Sequence, residues 1–358
     1  MRNEIIYDNK GRPDIVVTYT AAELEELLGK DHPVLTVNGR KISELCIAKY
    51  PASMIEGLPY SLPFQAPAKN RTFDDAVRFC EAKGEGWHLM TAAEWGAIAL
   101  ICQKAGIKPH GNTEAGHYHA DKNEEGIKDN GGPLTLTGSG PITWTHTHTA
   151  EGIHDLVGNQ VEWIGGIRFL DGELQIINEN DAAGGADQSA DSKAWRPVDG
   201  PDGTIKYRVK DGEITVTDAE LDEDDHDWDG VEFSDLKAEI EVPEILKQLA
   251  LYPSTDEAAD DFFGLDGNGE RLVCRGGYWF STSHAGVFYC YGGYERSSFD
   301  EYIGFRPALV RFSDLCGSDP LDEAKTEAAK GYTTEEILSA VDRFTAAVHK
   351  FFGEEAPR

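Results

Sequence analysis

Apolar and polar positions along the chain predict a series of short elements. Ile15-Val16-Val17-Thr18-Tyr19 is apolar and rich in β-branched residues, and reads as a strand. Thr20-Ala21-Ala22-Glu23 follows with capping-box spacing, ahead of Leu24, Leu27 and Leu28 at helical intervals, which predicts a short amphipathic helix. Val34-Leu35-Thr36-Val37 then reads as a strand running into an Asn38-Gly39 turn. The proline-rich stretch 51–68 (PASMIEGLPYSLPFQAPA) reads as extended loop. Two helices come next: Thr72 caps one bearing Phe73, Ala76, Val77 and Cys80, and Thr91-Ala92-Ala93-Glu94 opens one bearing Trp95, Ile98, Ala99 and Cys102. Between them Gly86–Met90 reads as a short buried strand, with Trp87 and Trp95 as core residues.

The second half is patterned for hairpins. Phe169–Ile177 folds back around Asp171-Gly172, and Thr204–Thr217 around Asp211-Gly212. Residues 180–193, full of Asp, Ala, Gly and Ser, read as an exposed loop, and the acidic run LDEDDHDWDG (221–230) as a solvated one without the spacing of a calcium loop. Val242–Leu251 predicts a short helix with Ile245, Leu246 and Leu249 inward. In the last stretch Thr333 caps a helix carrying Ile337, Ala340, Val341, Phe344, Val348 and Phe351 on one face. The sum is an α+β chain of short antiparallel strands, two flanking helices and much loop. Its organisation reads as a strand–helix–strand element over 1–50, a main domain over 51–312 with an insertion at about 178–270, and a helical appendage over 313–358.

One stretch departs from these patterns. Residues 274–310 (CRGGYWFSTSHAGVFYCYGGYERSSFDEYIGFRPALV) hold Tyr, Phe, Ser, Gly and His in density, with few aliphatic residues between the two ends. Aromatic residues that do not alternate with polar ones cannot all face one core, so some must point outward. Tyr gives large amphipathic contact area with few torsions to freeze, and Ser and Gly adapt, which is paratope chemistry.

Charge narrows the partners. The 358 residues carry a formal net charge of −31, which disfavours nucleic acid and anionic membrane surfaces as partners. No apolar run reaches membrane-spanning length, and MRNEIIYDNKGRPD has no secretory apolar core, so the chain reads as made in the cytoplasm. The six cysteines (46, 80, 102, 274, 290 and 316) form no CxxC pair and predict neither a disulfide framework nor a zinc ribbon. Cys80 and Cys102 read as small core hydrophobes. His117-x-His119 and His146-x-His148 would each place two rings on one strand face, but no carboxylate or cysteine joins them at ligand spacing. Neither a metal nor a cofactor is expected.

Several motifs carry a family resemblance. GLPYSLPFQAPA (57–68), GWHLMTAAEWGAIAL (86–100), Asp155-Leu156-Val157-Gly158-Asn159-Gln160-Val161-Glu162-Trp163, and the frame Arg275, Gly276, Gly277, Trp279, Ala285–Phe288, Arg296, Ser297 and Ile303–Leu309 stand in order along the chain. Together they resemble the variable target proteins of diversity-generating retroelements, which have a C-type-lectin fold related to formylglycine-generating enzyme. The resemblance covers roughly residues 50–312. It implies a fixed scaffold displaying residues rewritten at template adenines. Tyr, Phe, Ser, His, Cys, Gly and Asp between the frame residues are all reachable from an Asn codon in that way, with Glu295 and Glu301 as exceptions. The implied ligand contacts are Tyr278, Phe280, Ser281, Ser283, His284, Tyr289, Tyr291, Gly292, Gly293, Tyr294, Ser298, Phe299, Asp300 and Tyr302. Trp279 and Phe288 are expected to face inward and Arg306 to hold the loop. The implied partner is a cell-surface protein or glycan, met by a phage-tail protein that forms homo-oligomers or joins other virion proteins through its termini. Two alternatives stand beside this: an oxidase like formylglycine-generating enzyme, for which Cys274 and Cys290 are the candidate pair, and a purely structural virion protein.

Overall fold

In a computed structural model, which describes residues 1–8, 10–255 and 260–313, the principal elements follow in chain order. The first half holds β1 (Arg2–Tyr7), β2 (Pro13–Thr20), α1 (Ala21–Leu28), β3 (Glu44–Ala48), α2 (Phe73–Glu81), β4 (Trp87–Leu89), α3 (Ala92–Ala105), β5 (Val161–Leu170) and β6 (Glu173–Ile177). Then come β7 (Lys206–Lys210), β8 (Glu213–Thr217), β9 (Trp228–Glu232), α4 (Glu244–Gln248), β10 (Phe262–Asp266), β11 (Glu270–Arg275), β12 (Cys290–Tyr294), β13 (Ile303–Phe305) and β14 (Pro307–Arg311). The class is α+β. The helix predicted beyond Thr333 lies outside the described residues.

Local chemistry sets the helix starts. At Thr20 and again at Thr91 the hydroxyl accepts the backbone N–H three residues on, while the carboxylate of Glu23 or Glu94 accepts the N–H of the capping threonine. A cap of this kind contributes about 1 kcal/mol. The hairpin turns lie where the Asx-Gly pairs stand: Asp171-Gly172 and Asp211-Gly212 both have positive φ at each position, the geometry that matches strand twist.

Two sheets result. The smaller runs β1-β2-β3-β14-β4, so strands from the first fifty residues pair with one that ends at Arg311. The larger runs β9-β10-β12-β11-β5-β6-β7-β8, with β13 pairing parallel to the start of β5. Trp163 and Ile164, neighbours on β5, point to opposite sides of it. Ile164 joins a large core with Trp95, Phe169, Tyr207, Phe263 and Leu265; Trp163 joins a second with Phe73, Cys80, Leu89, Leu272, Cys274 and Phe305. Residues 1–312 form one unit, in which the 1–50 strands and the 178–270 segment share sheets and core with the rest.

Several expectations change. Arg2–Tyr7 is a strand that alternation did not mark, because Ile5 and Tyr7 are exposed on a sheet edge. The proline-rich stretch contains a small hairpin, Ser53–Ile55 with Leu58–Tyr60. Val34-Leu35 lies in a 3-10 turn. Residues 180–193 are not wholly exposed: Asn180, Ala182, Ala183 and Gln188 are buried, and Gln188 Oε1 accepts the Gly166 N–H. The acidic run ends in strand β9, which pairs with β10 through Trp228↔Asp266 to Glu232↔Phe262, so a ladder overrides its charge. The histidine pairs do not share strand faces. His146 is buried between Ile153 N–H and the Tyr19 hydroxyl (2.7 Å each), and His148 has left-handed backbone at the surface. Among the described residues no helix is long and apolar enough to cross a membrane.

Candidate functional site: an open aromatic face

The candidate residues occupy two loops and the strand between them. Loop 276–289 links β11 to β12, and loop 295–302 links β12 to β13. Both are fixed through their backbones. Gly276 and Gly277 have φ of 90° and 79°, a region open to glycine, and a Cβ at Gly276 would overlap the Leu156 carbonyl. The Gly158 N–H donates to the Gly276 carbonyl (3.0 Å), and the Trp279 N–H to the Asn159 carbonyl (3.2 Å). Farther along, Ala115 N–H meets the Trp279 carbonyl (2.9 Å) and Thr282 N–H the Thr113 carbonyl (3.0 Å). At the loop's end the Trp95 indole donates to the Val287 carbonyl (2.7 Å), and the Phe288 N–H to Asp261 Oδ2 (2.7 Å). Burial pushes the Asp261 carboxyl up to about 6.

The Asp155–Trp163 motif is the anchor for this loop. Asn159, with Gly158 in a positive-φ turn, accepts the Thr135 N–H and donates to the Thr135 carbonyl through one side chain (2.8 and 3.1 Å). Asp155 accepts the Gly138 N–H (2.6 Å), and burial pushes its carboxyl up to about 6. Glu162 pairs bidentately with Arg306 (3.0 and 2.7 Å), both buried. Arg306 also donates to the Ala48 and His154 carbonyls, so it locks β3, β5 and β14 together rather than a loop.

The second loop is held from outside the face. Arg296 forks onto Glu270 (3.0 and 2.8 Å) and reaches Asp74 (2.7 Å). Gln160 donates to the Glu301 carbonyl (2.7 Å), and the Asn70 N–H to the Asp300 carbonyl (2.9 Å). These bonds hold the two loops by backbone groups, independently of the exposed side chains between them.

Most of the predicted contacts come together. Phe280 and Phe299 are 65% and 61% exposed, and Ser283 and His284 are exposed as well. Tyr278, Ser281, Tyr291, Gly293, Tyr294, Ser298, Asp300 and Tyr302 are half-buried. Their rings form a connected surface: Tyr278–Tyr302 at 4.9 Å, Tyr291–Tyr294 at 4.7 Å, and Tyr294 edge-on to the buried Trp163 at 5.7 Å. The second core is the floor on which Tyr278, Tyr291, Tyr294 and Tyr302 stand.

Two predicted contacts are corrected. Tyr289 is 6% exposed and belongs to the second core, against Phe262 at 5.7 Å; it faces inward along the strand, as Tyr291 would if the sheet were covered there. Gly292 is buried on the opposite face, where a Cβ would crowd Leu265 and Phe169 (2.8 and 3.2 Å). Neither is exposed on the open face. Conversely, Trp279, expected inside, is half-buried and packs against Tyr278 and Phe280 (6.0 and 5.6 Å). Phe288 does face inward.

Sequence reasoning missed two rings. By register, Trp228, Gly230 and Glu232 of β9, Phe262 and Gly264 of β10, and Tyr291 of β12 share one sheet face. Trp228 is 55% exposed and Phe262 half-buried. Pairing between strands 30 or more residues apart leaves no local signal, and the acidic setting of Trp228 concealed it.

Cys274 and Cys290, the candidate pair, do not assemble into one site. Cys274 lies in the second core and Cys290 in the large one, on opposite faces of adjacent strands, because Cys290 pairs with Arg275 rather than Cys274. Both are buried, and burial raises both thiols. Cys80 and Cys102 are buried core thiols too, the latter pushed up to about 12. The loop histidines bond to separate partners, His110 to Glu124, His119 to Thr113 and His148 to the Lys108 carbonyl. Among the described residues the one cluster with metal-ligand spacing is Glu4, Glu44 and Cys46, whose carboxylates are engaged by Arg2 and Arg311.

No family model matches the chain, and no curated protein matches it. Among solved structures, PvdO from Pseudomonas aeruginosa is similar at 12% identity and a TM-score of 0.33, over 87% of this chain and 99% of that one. Treponema denticola variable protein 1 is similar at 12% and 0.31, over 86% and 98%. The I1 variant of the Major Tropism Determinant is similar at 9% and 0.30, over 87% and 72%.

Proposed function

We propose that this chain is a ligand-binding protein of the retroelement-diversified kind, displaying interchangeable side chains between residues 278 and 302 on a fixed frame. One observation carries the reading: the two loops are pinned through their own backbones by the backbones of Asn70, Thr113, Ala115, Gly158 and Asn159 and by the Trp95 indole, while their rings stand together on one open face. Binding surfaces concentrate energy in such aromatic anchors with polar neighbours around them. The contacts are Tyr278, Phe280, Ser281, Ser283, His284, Tyr291, Gly293, Tyr294, Ser298, Phe299, Asp300 and Tyr302. The partner is a cell-surface molecule, and attachment of a phage tail to its host is the setting that the motif resemblance implies. Catalysis by a cysteine pair is disfavoured by the placement of Cys274 and Cys290 in separate cores.

The test joins genetics to binding. Flanking DNA should hold a reverse transcriptase gene and a near-repeat of codons 275–306 that differs almost only at adenines. Labelled protein should bind a subset of bacterial surfaces, and Tyr278→Ser with Phe280→Ser, Phe299→Ser and Tyr302→Ser should abolish that binding without unfolding the chain. A full-strength signal from the quadruple variant would refute the reading.

A further inference from the structure

The open face does not end with the diversified segment. β9 and β10 continue it, and they present rings in an unusual posture. A Cβ at Gly230 or Gly264 would overlap the Phe262 ring, and one at Gly293 would lie 2.5 Å from the Tyr291 ring. The Phe262 and Tyr291 rings therefore lie over glycines on the sheet instead of standing up from it. Trp228, at the outer end, shares this face by register and is 55% exposed. The result is a shelf of rings, Trp228, Phe262 and Tyr291, with no element among the described residues laid across it.

Most of the unpaired charge around this shelf is acidic. Its arginines are already engaged: Arg271 with Asp266 (2.6 Å) and Arg296 with Glu270 and Asp74. Arg71, whose chain neighbour Asn70 donates to the Asp300 carbonyl, packs its guanidinium over the Phe79 ring. Glu232, on the shelf's face by register, and Asp300 and Glu301, at the rim, pair with no cation among the described residues. Ring faces carry negative quadrupole potential, and unpaired carboxylates beside them add to it; both attract a cation that approaches from solvent.

Building on the reading above, we infer that Trp228 and Phe262 form a fixed flank of the binding face, and that the face takes a Lys- or Arg-bearing protein surface rather than a neutral glycan. The fixed flank supplies cation–π contacts common to all variants, and the diversified rings select among cationic partners.

The probes are two arrays, one of peptides spanning Arg/Lys-rich to Asp/Glu-rich composition and one of neutral bacterial surface glycans, read with the full chain. The expected result is capture of Arg/Lys-rich peptides that weakens with salt and falls at least about tenfold in Trp228→Ala, a hot-spot loss. Trp228 is exposed on an edge strand, so circular dichroism should be unchanged; Trp228→Phe should restore part of the affinity. Capture of glycans alone would overturn this inference and leave the proposed function standing. Peptide capture lost on Tyr278→Ser with Tyr302→Ser but kept in Trp228→Ala would overturn the fixed flank alone. Peptide capture untouched by either variant would mean attraction to bulk charge, and would overturn both, as would silence on both arrays.

Discussion

Tyr289 and Phe280 stand nine residues apart in a stretch of one composition, and the structure gives them opposite duties. Tyr289 is 6% exposed and packed with Phe262 and the second core, whereas Phe280 is 65% exposed and touches Trp279 alone among rings. Removing a buried aromatic ring costs about 3–5 kcal/mol, from lost transfer energy and the cavity left behind. An exposed ring on a pinned loop costs about 0.5 kcal/mol or less. For a unit of 312 residues the unfolding entropy is about 0.65 kcal/mol/K, so each kcal/mol moves the melting temperature by about 1.5 °C. Tyr289→Ala should therefore lower it by about 5–8 °C, and Phe280→Ala by less than about 1 °C.

Calorimetry on the two variants, with urea titration as the second probe, reads this directly. The binding signal should show the reverse ranking at a temperature where both variants are folded. Equal shifts for the two variants would refute the division into frame and face, because Tyr289 would then be as dispensable as a surface ring. On the proposed function the same logic constrains diversification: Ser, Asp or Gly at 289 would destabilise the frame, so folded variants should keep an aromatic ring there even while 278 and 280 change freely.

Three other outcomes follow from the frame. Arg306→Met leaves Glu162 buried without its bidentate partner and should cost about 3–5 kcal/mol, much of it recovered in Arg306→Met with Glu162→Met; additive losses in that cycle would refute the pairing. His146 is held neutral, its Nδ1 accepting the Ile153 N–H, and burial depresses its imidazolium to about 3. A depressed folded value means its stabilisation is present above the unfolded value and lost as pH falls, so between pH 6.5 and 4 His146→Gln should flatten the stability slope by about 1.4 kcal/mol per pH unit. Trp95→Phe removes the indole donor to Val287; it should cost about 1 kcal/mol and speed amide exchange across 276–289 more than across β5.

What could be read from the sequence was what local chemistry decides. Thr20, Thr72 and Thr91 announced their helices because a cap needs only four residues, and Asp171-Gly172 and Asp211-Gly212 announced their hairpins because a two-residue turn needs only two. Pairing partners could not be read that way. β9 is a strand because β10 lies beside it, although WDGVE alternates poorly and sits in a run of carboxylates. β1 joins the edge of a sheet whose other strands come from both ends of the described chain. Tyr289 was read as surface for a related reason: its neighbours Tyr291 and Tyr294 have the same chemistry, and inside or outside is decided by where the second core stops.

That stopping point is what leaves an aromatic sheet face open. On β5, β11 and β13 the second core is capped by α2 through Phe73, Ala76 and Cys80, so Trp163 and Phe305 are sealed. The helix spans nine residues, about 14 Å, and the sheet continues past it through β12, β10 and β9. Side chains on that extension inherit an apolar floor from the capped part but meet no second layer among the described residues. A sheet face in this position either aggregates or binds. Glycines at 230, 264 and 293 keep its rings low, and Glu232, Asp300 and Glu301 rim it with like charge, which opposes self-association of a chain at net −31. If neutralising the rim, by Glu232→Gln, Asp300→Asn and Glu301→Gln together, left the protein as monodisperse in light scattering as before, charge would not be what keeps this face unpaired. The expected result is concentration-dependent self-association, reversed when Trp228→Ala is added.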